Sequence, residues 1–393
     1  MKQDWKPPKI IIGKEATGQY YYRREEIESD IWEEIKKSNN ILLAAPRRVG
    51  KTSVMKYIAE NPKSGFRLIF RNVQGIDTEE RFYKTLYELI IHCLSRFKSN
   101  QTLIENYFKK MRISEISTSG FKIDEKAIDY LSEINSLIPQ LDPEGENIVL
   151  LIDELPEVLH EMYKKGKKGM ALNIIKNLRH LRQETDFKKI QFVFAGSIGL
   201  HYVVKLINGR SSDINDLNKI QYLPLNEDEV SLYIDSVTKD ATIKYSPELK
   251  QYLITKIQYY VPYFFNIMLD AIHNSAKKSN NPIIGKQSID AAFDLVIKNN
   301  DYFKDWKQRL SDYLPKEDFN FVNEILIHVA HKDNISIQEL YDKATKHNKV
   351  NDYMDFVNDL EHDGYIAEQN QKYVFISPFL KEFWKRNNPV YNG

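Results

Sequence analysis

Cysteine is nearly absent: Cys93 is the single one in 393 residues, which excludes an intrachain disulfide framework and any cluster of thiolate metal ligands. A reducing compartment, the cytoplasm, is the expected location. Net charge is nearly absent too. The chain carries 56 Lys and Arg against 55 Asp and Glu, +1 overall, so no chain-wide basic field exists to drive nonspecific nucleic-acid or membrane binding. Any such contact has to come from a local patch. Long apolar runs are missing as well: the most apolar stretches, 148–152 and 192–200, fall short of the ~18 residues of a membrane span. No apolar segment follows the polar start from Met1 to Pro8 as a secretory signal would. The 9 histidines show no H-x-x-x-H spacing and the chain has no G-x-S-x-G elbow, which leaves a dedicated zinc site and a serine-hydrolase nucleophile without support. What is present is an ordinary globular composition, 42% apolar and 28% charged, in a chain long enough for two or three cores of roughly 100–200 residues each.

Apolar periodicity organises the chain. Ile27, Ile31, Trp32 and Ile35 recur at spacings of three and four, predicting an amphipathic helix over 24–37. Apolar runs at 41–45, 66–70, 148–152 and 190–195, the second interrupted by Arg67 and the last by Gln191, read as strands buried on both faces of a parallel sheet, and helical stretches separate them. The long interval between the second and third runs is expected to hold inserted helices at 104–111 and 126–138. Beyond Pro224 the strand signals stop, and 227–298 reads as helices with Leu253, Ile257, Ile267, Met268 and Ala271 as apolar positions. From Asp318 onward Phe321, Ile325, Leu326 and Val329 make one helix, a Ser336/Glu339 capping box starts another, and Tyr353, Phe356, Val357 and Leu360 make a third, closed by Gly364. A hairpin turning at Gln369, Asn370 and Gln371 follows, and three helices with a hairpin spell a winged helix. The expected division is 1–225, 226–305 and 306–393.

Ala45, Pro46, Arg47, Arg48, Val49, Gly50, Lys51 and Thr52 match the phosphate-binding loop G-x-x-x-x-G-K-[ST] at every fixed position but the first, where Ala replaces Gly. The loop stands between a buried strand and a helix. There, backbone N–H groups cradle phosphate oxygens, Gly50 permits close approach, Lys51 reaches the β and γ phosphates, and the Thr52 hydroxyl is a ligand for Mg²⁺. The strand at 148–152 ends in Asp153 and Glu154, which supply an acid on the metal side and a candidate general base. Ser197 follows the strand at 190–195 where a side chain would sense the γ-phosphate, although a tight turn explains a Ser there equally well. Arg48, Arg179, Arg182 and Arg210 are the arginines available to neutralise transition-state charge.

The elements Tyr21 to Ile27, Pro46 to Ser53, Leu150 to Glu154, Gly196 to Gly199 and Ile376 to Leu380 together resemble the archaeal-type P-loop ATPases near the boundary of the AAA+ and STAND groups. The resemblance covers nearly the whole chain. It implies an additional-strand P-loop NTPase sheet, a helical lid and a C-terminal winged helix, with ATP, ADP and Mg²⁺ as ligands. It places Arg24 in the element before the first helix on the adenine side, with Arg23 where Gly is usual, and Ser53 within the loop motif. Pro262, after Tyr259 and Tyr260 in place of two glycines, would touch the base. Arg210 falls where a finger for a neighbouring subunit stands, so a homo-oligomer is among the implied states. No second-sensor arginine is evident in the lid, which points to the STAND side, where nucleotide state is a switch.

The winged helix bears on the partner. Asp352, Asp355, Asp359, Glu361 and Asp363 fall on or beside its third helix, with no Lys or Arg from 351 to 363, which suits DNA phosphates poorly. Lys346, Lys349, Lys381, Lys385 and Arg386 keep a DNA contact in play. The expected function is an ATP-binding, Mg-dependent, ATP-hydrolysing regulatory switch that acts on a protein partner. An initiator-like ATP-dependent DNA-binding protein is the alternative, and a scaffold without turnover is a third reading.

Overall fold

The computed structural model describes residues 4–94, 105, 128–140, 146–184, 190–196 and 199–391. The chain divides into two compact units, one of Arg23–Ala44 and Lys51–Gln221, the other of Met1–Tyr22, Ala45–Gly50 and Tyr222–Gly393.

The first unit is built on five strands, β1 (Ile41–Ala44), β2 (Phe66–Asn72), β3 (Asn147–Asp153), β4 (Ile190–Ala195) and β5 (Asn218–Gln221). Its helices are α1 (Glu25–Lys36), α2 (Lys51–Glu60), α3 (Glu79–Leu94), α4 (Tyr130–Leu137), α5 (Leu155–Lys164), α6 (Lys168–Gln183) and α7 (Leu200–Asn208). The sheet order is β2-β3-β4-β1-β5 and every neighbouring pair is parallel. The insertion of β4 between β1 and β3 is the additional-strand arrangement of the P-loop NTPase α/β fold. Strands β1 and β4 are buried throughout and β3 from Ile148 on, because helices cover both faces of a parallel sheet. Each large side chain so buried contributes about 1.5–3 kcal/mol. Gln191 is the polar exception in β4, and its amide donates to the carbonyls of Ile35 (3.0 Å) and Asn39 (3.2 Å), tying the exit of α1 to the sheet. A Cβ on Gly196 would lie 2.5 Å from Cδ of Pro156, so the first turn of α5 rests directly on the end of β4.

Of the expected inserted helices, 126–138 is represented by α4 and a 3-10 turn over Ile138–Gln140. The one at 104–111 lies, apart from Glu105, outside the described residues. Strand β5 was not legible in the sequence: of its four residues only Ile220 is buried, so it has no apolar run.

The second unit holds α8 (Glu227–Thr238), α9 (Pro247–Ile257), α10 (Pro262–Ser279), α11 (Lys286–Lys298), α12 (Lys304–Tyr313), α13 (Lys316–Lys332), α14 (Ile337–Lys346), α15 (Tyr353–His362) and α16 (Pro378–Asn387). Strands β6 (Ile335–Ser336), β7 (Ile366–Gln369) and β8 (Lys372–Phe375) form an antiparallel sheet in the order β6-β8-β7. The helix starts are written in the sequence. Capping boxes at Asn226/Glu229 and Ser336/Glu339 open α8 and α14, and Ser246 caps α9 ahead of Pro247. The β7–β8 turn carries Asn370 and Gln371 at φ of 51° and 62°, the pair of left-handed residues that a two-residue hairpin requires.

An aromatic cluster forms the core of this unit. Phe264 of α10 stacks on Phe379 of α16 at 5.4 Å and 4°, and on Trp306 of α12 at 6.1 Å. Tyr365 meets Trp306 and Trp384 edge-on, and its hydroxyl donates to the Trp306 carbonyl at 2.9 Å. Helix α15 ends in a Schellman motif: the Gly364 N–H donates to Glu361 O and the Tyr365 N–H to Leu360 O. Gly364 has φ +80°, and a Cβ there would stand 2.3 Å from the Tyr259 hydroxyl and 3.1 Å from Cβ of Pro46. Gly364→Ala therefore meets both a left-handed backbone and a filled space, and is expected to destabilise this unit by about 2–4 kcal/mol in chemical denaturation.

Candidate functional site

The loop from Ala45 to Gly50 leaves β1 and leads into α2, whose first residue is Lys51. Ala45 lies outside the left-handed region, so its methyl group is tolerated where glycine is usual. Farther along, Arg48 has φ +63° and Gly50 φ +111°. The second value is one only glycine adopts readily, and a Cβ on Gly50 would also stand 3.3 Å from the Tyr222 hydroxyl. Arg48 holds a left-handed backbone at a cost of about 1–2 kcal/mol. Its side chain is held on two sides: Nη2 reaches Oδ2 of Asp305 at 3.1 Å, and the guanidinium lies 4.1 Å from the centre of the Tyr263 ring. Arg47 donates from Nη1 to the backbone carbonyl of Asp305 at 2.9 Å. Burial first, then the charges of Arg309 and Arg48, push the Arg47 guanidinium down.

In the other unit, Thr52 Oγ1 donates to Oδ2 of Asp153 at 2.6 Å. The Glu154 N–H donates to Oδ1 at 3.1 Å. Asp153 is completely buried at the last position of β3. Burial raises its carboxyl, while the Thr52 hydroxyl, the Lys51 charge and the Glu154 N–H act in the opposite direction. Lys51 and Ser53 are themselves buried on α2. Glu154 caps α5 at φ +64°, a strained conformation for a residue with a side chain. It is half-buried. A hydroxyl and a buried carboxylate in hydrogen-bond contact beside a lysine fit a hard divalent cation, which takes few protein oxygens when substrate phosphates supply others.

The structure thus brings Lys51, Thr52, Asp153 and Glu154 together in one unit and gathers Arg47 and Arg48 around Asp305 in the other. Arg24 is buried at the N-cap of α1. Pro262 is the first residue of α10, after the buried Val261. Ser197 lies outside the described residues. Arg210 is exposed just beyond the end of α7. Arg179 and Arg182 are engaged structurally: Arg179 donates to the Ser212 carbonyl and Asp213, and Arg182 to both carboxylate oxygens of Asp216. Asp305, Tyr263 and Tyr222 were not found by sequence reasoning, since no motif or period marks them.

At the C-terminal end of the chain, Asp355, Asn358 and Asp359 are exposed along α15. Two lysines that could have offset this acidity are in ion pairs: Lys349 with Asp318, and Lys346 with Glu324, which also receives Lys343 and His347. Partial burial would raise the Glu324 carboxyl, but hydrogen bonds from His347 and Lys343 prevail and lower it to about 2. Among the described residues no helix is long and apolar enough to cross a membrane, and no group of three or more His, Cys, Asp or Glu is placed to hold a metal ion.

The sheet order and the loop after β1 are those of the P-loop NTPase α/β fold. Among solved structures, the chain is similar to a Walker-type ATPase of Pyrococcus abyssi, with a TM-score of 0.60 and 14% identity over 97% of this chain and 99% of that one. The ORC2 protein of Aeropyrum pernix, solved in ADPNP and ADP complexes, matches at a TM-score of 0.49 and 10% identity over 93% and 94%, too low to add to the fold assignment. No protein-family model matches the chain, and no curated protein matches it in sequence.

Proposed function

We propose that the chain is an ATP-binding, Mg²⁺-dependent ATPase of the AAA+ kind, whose nucleotide state acts as a switch, in the STAND manner, on a protein partner. The observation that carries the reading is the hydrogen-bonded pair of half-buried Thr52 and fully buried Asp153, 2.6 Å apart, at the start of α2 and the end of β3. Lys51 binds the β and γ phosphates, and backbone N–H groups from Ala45 to Ser53 cradle them. Thr52 and Asp153 would hold Mg²⁺, which supplies charge neutralisation on the phosphates when bound. Glu154 orients the attacking water and takes its proton. Arg24 belongs to the adenine-side element, Pro262 is the lid residue for the base, Ser197 senses the γ-phosphate, and Arg210 serves a neighbouring subunit if the chain forms a homo-oligomer.

In this reading 1–225 is the ATPase domain, 226–305 the lid and 306–393 a winged helix. The exposed carboxylates of α15 favour a protein partner over DNA, because duplex affinity depends on cationic contacts to phosphates. The full chain, with or without ATP, is accordingly expected not to retain duplex DNA at physiological salt. Tight binding that falls steeply across a salt titration would replace the protein-partner reading with the initiator-like one.

A further inference from the structure

The arginines of the loop carry an inference that rests on the nucleotide-binding reading. Arg48 holds a left-handed backbone without being a glycine, and something must compensate for that strain. Two contacts are in place to do so, the Asp305 carboxylate and the Tyr263 ring. Successive N–H groups in alternating right- and left-handed conformations converge into an anion-binding concavity. The φ of Arg48 is therefore part of what aims the loop at a phosphate. Asp305 is well fixed for this task. It lies in the first turn of α12, and the next residue, Trp306, is fully buried in the aromatic core. Its own side chain is 42% exposed, so it supports no packing. As an anion it is unsuited to touching a phosphate directly.

We infer that Asp305 is a positioning residue for nucleotide binding: its carboxylate holds Arg48, and through Arg48 it presets the loop backbone before a phosphate arrives. Helix α12 thereby helps set the affinity of the loop for nucleotide.

The test is a double-mutant cycle on the full chain, read as the Kd for Mg-ATP by calorimetry. Asp305→Asn keeps shape and the backbone carbonyl used by Arg47, and removes the charge that faces Arg48 at 3.1 Å and, more distantly, Arg47 at 3.8 Å. It is expected to weaken binding about 5- to 30-fold, the equivalent of releasing one strained residue, and Asp305→Glu to recover most of the loss. Glycine adopts the left-handed conformation freely, so adding Asp305→Asn to Arg48→Gly is expected to change Kd less than about 2-fold. An unchanged Kd for Asp305→Asn overturns the inference, and so does an equal loss in both backgrounds, which would mean that Asp305 does not act through Arg48. Arg48→Met breaks the pair from the loop side and is expected to weaken binding too; an unchanged Kd there overturns the inference even if Asp305→Asn misfolds. Absence of Mg-ATP binding by the wild type is a separate result, which removes the nucleotide reading and this inference with it.

Discussion

Lys51→Ala is expected to weaken Mg-ATP binding by about 10- to 150-fold, the equivalent of about 1.5–3 kcal/mol for a hydrogen bond involving a charged group, while the chain stays folded. The lysine is the first residue of α2 and is buried, so its ammonium is fixed rather than solvated, and its charge is felt at Asp153. Truncation leaves the sheet and the core positions Val54, Met55 and Ile58 of the same helix unchanged. An unfolding midpoint close to wild type, measured alongside the affinity, separates loss of the phosphate contact from loss of the helix.

Glu154→Gln is expected to bind Mg-ATP with near wild-type affinity and to lose turnover by about 10²- to 10⁴-fold, the usual contribution of a positioned general base. The amide keeps the size of the side chain and its place at the N-cap of α5, at φ +64°. Asp153 differs, because its carboxylate accepts from Thr52 and from the Glu154 N–H; Asp153→Asn should impair metal-dependent binding itself. Single-turnover phosphate release and equilibrium binding distinguish the two variants. Equal activity of wild type and Glu154→Gln would take the base role away from Glu154.

The parts of this molecule legible in the sequence are those that local patterns encode. Strands β1, β3 and β4 are apolar runs, interrupted in β4 by Gln191 and bounded in β3 by Asn147 and Asp153, because both faces are covered. Thr52 and Asp153 were found from two motifs about 100 residues apart, and their side chains meet. Caps at Ser336 and Gly364 likewise announce themselves through short-range hydrogen bonds. Strand β5 was missed because an exposed edge needs no apolar run. The pairing of Arg48 with Asp305 spans 257 positions, and no period or motif reports a contact of that kind. For the same reason Lys346 and Lys349 looked available to DNA in the sequence, while Glu324 and Asp318 hold them in the fold.

An equilibrium titration of the full-length wild-type chain with ATP, run with magnesium and again with EDTA, bears most directly on nucleotide binding at this loop. The arrangement of Lys51, Thr52 and Asp153 predicts saturable one-to-one binding with magnesium and a large loss of affinity when the metal is removed. Binding that does not saturate, or that is indifferent to magnesium, would contradict it.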